Sequence, residues 1–224
     1  MPYGIRTGIR KFLKKLRKAY NMIVNRPLPD GHAQIFDNIY IANEWATGSG
    51  EGSREEVTRD YREFLQKFMR DYRIKSVVDL GCGDWQFSRH IDWNGIKYTG
   101  VDVSKIVLKT SKKFAAANIK FLHADVMRNR LPSADLLLAK DVLQHWSLED
   151  IHQFIPKLKK YRYALITNGF PESILPLTNA QKPTGGNHRP IDLGIAPFHL
   201  RGEYIFSFEA DELKKAFLWI NPQR

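Results

Sequence analysis

The sequence predicts an α/β protein in which helices pack on both faces of a mostly parallel, seven-stranded sheet. Short apolar segments alternate with helical stretches from Lys75 onward, which is the pattern of a parallel sheet with crossover helices. A turn with two glycines follows the first apolar segment, as in proteins that bind a cofactor at the edge of the sheet. Two more apolar segments lie a few residues apart after residue 203, which predicts an antiparallel hairpin that closes the sheet.

Seven apolar runs of strand length account for this sheet. The strands are predicted at 76–80, 98–103, 119–123, 135–139, 163–167, 204–208 and 216–220. Helices are predicted over 84–92, 104–117 and 147–160, and Ser147 is placed to begin the last of them.

The chain before the sheet is predicted to hold an irregular stretch and one helix. Proline and glycine recur over residues 27–52, which indicates connecting chain. Ser53 and Glu56 have the spacing of a capping box, and apolar residues at three- and four-residue intervals predict a helix that continues to Tyr72. Residues 27–72 are therefore interpreted as a linker with an N-terminal capping helix, and residues 73–224 as the core domain.

Residues 1–26 are interpreted as a separate basic arm. They hold eight Lys and Arg residues and no acid, so that removing these eight charges from a net charge of +11 leaves only +3 for the rest of the chain. Apolar residues recur among the bases at helical spacing, which predicts a basic amphipathic helix. Docking on its own core or on a partner protein is the first interpretation, binding to an anionic membrane surface the second, and contact with nucleic-acid phosphates the third. An arm that does not fold back would favour a homodimer.

The composition is that of a globular domain, with 43% hydrophobic and 26% charged residues. No apolar run approaches the roughly 18 residues of a membrane span, and no secretory signal is recognisable, so a cytoplasmic location is expected, or a peripheral one if the arm binds membranes. Cys82 is the only cysteine, which excludes an internal disulfide. Histidines and carboxylates do not cluster at ligand spacing, and no metal site is predicted.

The turn after the first strand candidate is the first candidate for cofactor binding. Gly81 and Gly83 allow a sharp turn and a close approach of the backbone to a ligand. Asp102 ends the second strand candidate, where a carboxylate can accept hydrogen bonds from a ribose. Gln86 stands at the third glycine position of the dinucleotide pattern and Asp79 adds a carboxylate, so the turn favours a cationic cofactor over the diphosphate of NAD.

These segments resemble the motifs of class I S-adenosylmethionine-dependent methyltransferases. The matching stretches are D-L-G-C-G-D-W, Y-T-G-V-D-V, F-L-H-A-D-V and D-L-L-L-A-K-D-V-L-Q, in family order, with Trp85 in place of the last glycine of the first motif. Residues 48–53 and 185–193 are also similar to a bacterial subgroup without an assigned substrate. The resemblance implies a Rossmann-like fold and S-adenosylmethionine as cofactor. The cofactor-binding residues it implies are Asp79, Gly81, Cys82, Gly83, Asp84, Trp85, Asp102, Val103, Asp125, Val126 and Lys140.

Methyl transfer requires an aligned acceptor and, for a hydroxyl acceptor, a base that removes its proton. Polar residues that follow the fourth strand candidate, or lie in the long segment before the hairpin, are the candidates for these roles. Asp141 or His188 is expected to act as the general base, with His145 in reserve. The expected substrate-binding residues are Asn168, Arg189 and Asp192.

The acceptor is expected to be a small polar molecule, such as a sugar or glycoconjugate precursor, because residues 170–203 are long enough to form a lid over a modest pocket. His188 and Arg189 would then hold an anionic or hydroxylated group. Nucleic-acid methylation is less favoured, since the core is only mildly basic, and a protein acceptor stays open. A non-catalytic scaffold is a further alternative if Trp85 fills the methionine pocket.

Overall fold

The computed structural model describes residues 32–171, 177, 179 and 188–223, and a seven-stranded sheet lies at its centre. The predicted arm at residues 1–26 lies outside the described residues. All seven predicted strands are present. They are β1 (Ser76–Leu80), β2 (Lys97–Asp102), β3 (Ile119–His123), β4 (Ala134–Lys140), β5 (Tyr161–Phe170), β6 (Glu203–Glu209) and β7 (Leu213–Ile220).

The strand order is β3-β2-β1-β4-β5-β7-β6. The first five strands are parallel, whereas β7 lies antiparallel to both β5 and β6. The predicted terminal hairpin is therefore confirmed, with its second strand inserted next to β5. The order of the strands reverses between β1 and β4, and ligands of open α/β sheets bind at the carboxyl ends of the strands beside such a switch point.

Four α-helices accompany the sheet in the described part of the chain: α1 (His32–Ala42), α2 (Arg59–Asp71), α3 (Lys105–Ser111) and α4 (Leu148–Phe154). The prediction that Ser147 begins α4 is confirmed, because its hydroxyl accepts a hydrogen bond from the Asp150 amide at 3.0 Å in a capping box. Both α3 and α4 continue as short 3₁₀ turns, so they are shorter than predicted. No helix in the described ranges is long and apolar enough to cross a membrane.

Three local predictions, of a linker, a helix cap and a helix, are wrong. The proline and glycine pattern predicts irregular chain over residues 27–52, yet α1 begins at His32. The capping box at Ser53 does not form, since α2 begins only after Thr58, whose hydroxyl donates to the Arg54 carbonyl oxygen at 2.7 Å. Residues 84–92 contain one 3₁₀ turn at Ser88–His90 instead of a helix, because Trp85 has a φ of 69° and left-handed backbone cannot continue a helix.

The apolar core lies in two layers, one on each face of the sheet. On one face, Val78 and Leu80 pack with the α4 residues Ile151 and Phe154. The opposite face carries the buried stripe of α2, as its apolar periodicity predicted; the members of this stripe are Tyr61, Leu65, Phe68 and Met69. Successive side chains of a strand point to opposite faces of the sheet, so neighbouring residues of β1 face different layers of the core.

Candidate active site

A cavity of about 440 Å³ opens at the carboxyl ends of β1, β2 and β4, beside the switch point of the sheet. The strand ends contribute its floor, and α1 and the following loop contribute its opposite wall. Floor residues are Gly81, Gly83, Asp102, Val103, Asp125, Val126, Lys140 and Asp141. Residues of the opposite wall are Phe36, Tyr40, Glu44, Trp45, Ser49, Glu51 and Gly52.

The two glycines after β1 are required by the geometry of the turn. Both have positive φ, 70° at Gly81 and 55° at Gly83, where side chains are strained. A Cβ at Gly81 would clash with Val142, and one at Gly83 with the hydroxyl of Ser49. The amide of Gly81 donates to the Val101 carbonyl oxygen at 2.7 Å, which fixes the turn against β2. The turn thus presents bare backbone to the cavity.

Asp102 ends β2 beside this turn, as expected from the sequence. One carboxylate oxygen accepts from the Gly83 amide at 3.0 Å, and the other accepts from the Ser104 amide at 2.8 Å. Burial raises the pKa of Asp102 to about 6, although these backbone hydrogen bonds oppose the shift. Each oxygen keeps a lone pair for a further donor, so the group can accept hydrogen bonds from two neighbouring hydroxyls of a ligand.

The part of the cavity floor next to Asp102 is apolar except for one carboxylate. Asp125 follows β3 and lines the cavity together with Val103, Ala124 and Val126. One Asp125 oxygen accepts from the Met127 amide at 2.8 Å, which orients the side chain. An apolar slot with one carboxylate at its edge suits a flat heterocycle that carries an amino group.

The loop after α1 is held over the glycine turn by a chain of hydrogen bonds. The Ser49 hydroxyl lies 3.1 Å from the Tyr40 hydroxyl and accepts from the Asp84 amide at 2.9 Å. Gln86 donates to the Thr47 carbonyl oxygen and to the Asp84 carboxylate, the latter at 2.8 Å. Gln86 therefore ties down the cover of the site, a role that its position in the motif did not reveal.

A compact cluster of charges forms the far end of the floor. Asp141 has a φ of 56°, and its carboxylate pairs with Lys140 and, at 3.0 Å, with Lys214 of β7. Lys214 is fully buried and also contacts Asp211 at 3.1 Å and Glu212 at 3.0 Å. Burial by itself would raise the pKa of Asp141, but the two ammonium groups outweigh it and lower that pKa. Asp141 is thus held ionised.

Two histidines and two aromatic rings stand above this cluster. The His145 ring lies 5.7 Å from the Trp45 ring and 5.8 Å from the Phe36 ring, between centroids. The His188 ring centre is 6.4 Å from that of His145, and its Nε2 is 3.8 Å from Glu212. The structure therefore brings all three predicted catalytic residues, Asp141, His145 and His188, into one cavity.

Four residues of the first motif have side chains turned away from the cavity. Asp79 lies on the α2 face of the sheet, where it accepts from the Tyr98 hydroxyl at 2.5 Å and the Ser88 hydroxyl at 3.2 Å. Trp85 is buried against the rings of Tyr98, Phe114 and Phe121, so it does not fill the cavity as the scaffold hypothesis required. Cys82 is buried and Asp84 faces the covering loop. None of the four lines the cavity.

The three predicted substrate-binding residues also lie outside the cavity lining. Asn168 is buried within β5, opposite Lys215 of β7. Arg189 is buried, and its guanidinium donates to the Gln144 carbonyl oxygen at 3.2 Å. Asp192 accepts from the Tyr204 hydroxyl at 2.8 Å. Arg189 and Asp192 hold the segment before β6 in place, and Arg189 does not line the cavity in which it was expected to hold an anionic or hydroxylated group.

Sequence reasoning missed two groups of cavity residues. Asp211 and Lys214 come from the β6–β7 hairpin, and no local pattern marks them, because they reach the cavity only through the insertion of β7 beside β5. Phe36 and Tyr40 belong to α1, a region whose proline and glycine content predicts a linker. The glycine-rich run at residues 48–52 was the one available signal, since glycines that must approach a turn closely mark a covering loop.

Comparisons with known proteins agree with this geometry. Residues 77–161 match the model of a family described as a methyltransferase domain. An uncharacterized methyltransferase of Mycobacterium tuberculosis (strain ATCC 25618 / H37Rv) is 34% identical over 85 residues, which is 37% of this chain and 42% of that protein. A 3-O-methylredipecamine 2-O-methyltransferase of Carapichea ipecacuanha is 30% identical over 122 residues, which is 51% of this chain and 32% of that protein. The chain thus spans less than half the length of these curated relatives.

The fold has relatives among solved structures. Magnesium protoporphyrin IX methyltransferase from Synechocystis PCC 6803, solved with bound S-adenosylhomocysteine, superimposes with a TM-score of 0.61 over 84% of this chain and 98% of that chain. The two sequences are 14% identical. This likeness, together with the strand order, establishes the Rossmann-like fold that the resemblance of the motifs implied.

Proposed function

We propose that this chain, whose residues 77–161 match the model of a methyltransferase domain, is a class I S-adenosylmethionine-dependent enzyme that transfers a methyl group to a small polar acceptor bound in the cavity. The observation that carries the proposal is the joint lining of one cavity by two different sets of groups. Gly81, Gly83 and Asp102 line it at the ends of β1 and β2, and Asp141 with the two histidines line it on the side of β4. A cofactor site and a polar acceptor site are therefore contiguous.

The residues of the cofactor site fit S-adenosylmethionine. Asp102 would accept hydrogen bonds from the ribose hydroxyls, and Asp125 would accept one from the adenine amino group in the slot between Val103 and Val126. The backbone at Gly81 and Gly83 would lie against the methionine portion. When bound, the cofactor supplies an electrophilic methyl group on a sulfonium, and the carboxylates of the cavity wall complement that positive charge.

The residues of the acceptor site would orient the acceptor and take its proton. Asp141 or His188 is proposed as the general base, with His145 in reserve. Of these, His188 fits best, because the two lysines that hold Asp141 ionised lower its pKa and weaken it as a base. Asp141 can still accept a hydrogen bond from an acceptor hydroxyl and so align it.

The names of two relatives support oxygen as the atom that receives the methyl group. The Carapichea relative is a 2-O-methyltransferase by name, and a Schizosaccharomyces pombe relative, 24% identical over 116 residues, is named as an O-methyltransferase of ubiquinone biosynthesis. Each covers only about half of this chain. The acceptor itself, for which a sugar or glycoconjugate precursor is the proposal, has to be found by experiment.

Calorimetry and mass spectrometry together test this function. The wild-type protein is expected to bind S-adenosylmethionine and S-adenosylhomocysteine, and Asp102→Asn to bind both about tenfold more weakly, which is the scale of a lost charge-assisted hydrogen bond. Incubation with the cofactor and a panel of hydroxylated small molecules is expected to yield a product heavier by one methyl group. A folded protein that binds neither ligand contradicts the proposal.

A further inference from the structure

The acceptor end of the cavity has a charge that decides which acceptors it can hold. We define this acceptor end by Phe36, Glu44, Trp45, Glu51, Asp141, His145 and Asp211. An anionic acceptor, such as a phosphorylated sugar, would need a free cation there, while a cationic acceptor would need free carboxylates or aromatic faces. The contacts of each charged group show which of the two requirements is met.

The two lysines that line the cavity in the described ranges are already engaged by the protein. Lys140 donates to the Gly52 carbonyl oxygen at 2.7 Å and pairs with Asp141. Lys214 contacts three carboxylates, and burial leaves 1% of its side chain exposed. An incoming phosphate or carboxylate would have to displace these partners and would face their negative charges, which makes its binding unfavourable.

Carboxylates, in contrast, are exposed around the cavity. Glu44, Glu51 and Asp211 line it and are exposed to solvent, although Glu51 also pairs with Arg54 at 2.9 Å and Asp211 with Lys214. Together with Asp102, Asp125 and Asp141, six carboxylates line the cavity against two lysines among the residues that the structure describes. The wall therefore carries an excess of negative charge in a chain whose net charge is positive.

Aromatic faces complete the acceptor end. Phe36, Trp45 and His145 form a triangle of rings with centroid separations of 5.7 to 6.1 Å, and Tyr40 packs edge-on against Trp45 at 5.5 Å. Ring faces attract organic cations, and the attraction adds to that of nearby carboxylates. Aromatic rings with carboxylates at the rim are a combination that selects for an ammonium group and against an anion.

From these contacts we propose that the methyl acceptor carries a protonated amine as its recognition group and bears no phosphate or carboxylate. This inference rests on the proposed function and narrows it, since it excludes phosphorylated sugars and nucleic acids as acceptors. The ammonium group lies against Trp45 and the rim carboxylates Glu44 and Glu51. The hydroxyl that receives the methyl group then points to Asp141 and the histidines.

The test uses three probes that share a phenol ring and differ in charge: tyramine, 4-ethylphenol and 4-hydroxyphenylacetate. Calorimetric titration is carried out on the full chain saturated with S-adenosylhomocysteine, and titration of that product alone is recorded first. Tyramine is expected to bind at least about tenfold more tightly than 4-hydroxyphenylacetate, with 4-ethylphenol between them, which corresponds to about 1.4 kcal/mol.

Substitutions test whether the preference for an ammonium group arises at Glu44 and Glu51. The double substitution Glu44→Gln with Glu51→Gln is expected to weaken tyramine binding about fivefold and to leave 4-ethylphenol and S-adenosylhomocysteine binding within about twofold. Glu63→Gln, on the exposed side of α2, is the matched control and is expected to change nothing. Tyramine binding no tighter than that of 4-ethylphenol or 4-hydroxyphenylacetate, or unaffected by the double substitution, overturns the inference. Failure of the wild-type chain to bind S-adenosylhomocysteine instead rejects the proposed function and the inference with it.

Discussion

Lys214 of β7 places its ammonium nitrogen 3.0 Å from the carboxylate of Asp141, which directly follows β4. The two residues are joined although β5 lies between their strands in the sheet. Asp141 has left-handed backbone with a φ of 56°, and Lys214 is fully buried. This pair therefore couples the terminal hairpin to the floor of the cavity and fixes the side chain that the acceptor would meet.

Lys214→Gln is expected to reduce both stability and methyl transfer. The substitution leaves Asp141, Asp211 and Glu212 close together without their shared cation, and breaking a buried pair in this way costs about 3 kcal/mol. Urea unfolding measures the stability, and turnover with saturating cofactor is expected to fall about tenfold because Asp141 loses its position. Lys120→Gln, on the exposed side of β3, is the control. Equal unfolding free energies for Lys214→Gln and the wild type would refute the structural role of the cluster.

The sheet could be predicted from the sequence because each strand carries its own signal. Runs such as β1 and β4 are short, apolar and bounded by turns, so local pattern and burial agree. Helix α1 lacks such a signal, because Ile39 is the one buried side chain among its described residues. Its position depends instead on Asp37, which accepts hydrogen bonds from Ser104 and from the Ile106 amide of α3. A contact of this range leaves no trace in local periodicity.

The part of the candidate site that would bind the cofactor was predictable where strand ends define it. Gly81, Gly83 and Asp102 line the cavity because their positions at strand ends determine where they lie. Asp79 matches the motif equally well but faces the α2 layer, since strand side chains alternate and its neighbours Val78 and Leu80 face the other layer. Lys214 was unpredictable because its partner Asp141 is distant in sequence and they meet only through the strand order.

The ionisation of Asp102 is expected to make cofactor binding depend on pH. Its pKa is raised to about 6, mainly by burial, and only the ionised carboxylate accepts hydrogen bonds at full strength from ribose hydroxyls. The affinity for S-adenosylhomocysteine is therefore expected to be constant above pH 7 and to fall as the pH drops below about 6. Calorimetry between pH 5 and pH 8 measures this, and the weaker binding of Asp102→Asn is expected to show no such fall. A wild-type affinity that stays level down to pH 5 is inconsistent with the role given to Asp102.

Asp79→Asn is expected to alter the pH dependence of stability without altering cofactor binding. Burial raises the pKa of Asp79 to about 6, above the value of 3.8 for the exposed group, so the folded protein binds more protons between these values. The free energy of unfolding therefore falls as the pH rises from about 4 to about 6, by up to about 3 kcal/mol for this carboxyl group. Asp79→Asn loses this contribution to the pH dependence of the unfolding free energy, because an amide does not titrate.

Chemical unfolding at several pH values measures this difference, with Asp60→Asn on the exposed side of α2 as the control. The affinity for S-adenosylhomocysteine is expected to stay within about threefold of the wild type, since Asp79 does not line the cavity. A large loss of affinity in a stably folded Asp79→Asn protein would restore the electrostatic role that its place in the motif first indicated.

Gly83→Ala tests how the covering loop closes on the glycine turn. The added methyl group would meet the Ser49 hydroxyl, and the φ of 55° at this position would add backbone strain of about 1 kcal/mol. Gly95→Ala is the control that adds backbone strain without a steric clash, because Gly95 has a φ of 72° and open space around its Cβ position. We expect Gly83→Ala to weaken S-adenosylhomocysteine binding at least about tenfold and Gly95→Ala to leave it unchanged.

The steric part of that loss is expected to be recovered in the double variant Gly83→Ala with Ser49→Ala. Removing the hydroxyl frees the space that the new methyl group needs, although it also removes the bonds to Tyr40 and to the Asp84 amide. Because the two side chains would contact each other, their effects on affinity should not be additive, and the double variant should bind S-adenosylhomocysteine more tightly than the sum of the single losses predicts. Strictly additive losses in calorimetry would mean that Ser49 does not press on Gly83, and that the loop at residues 47–50 does not cover the turn in solution.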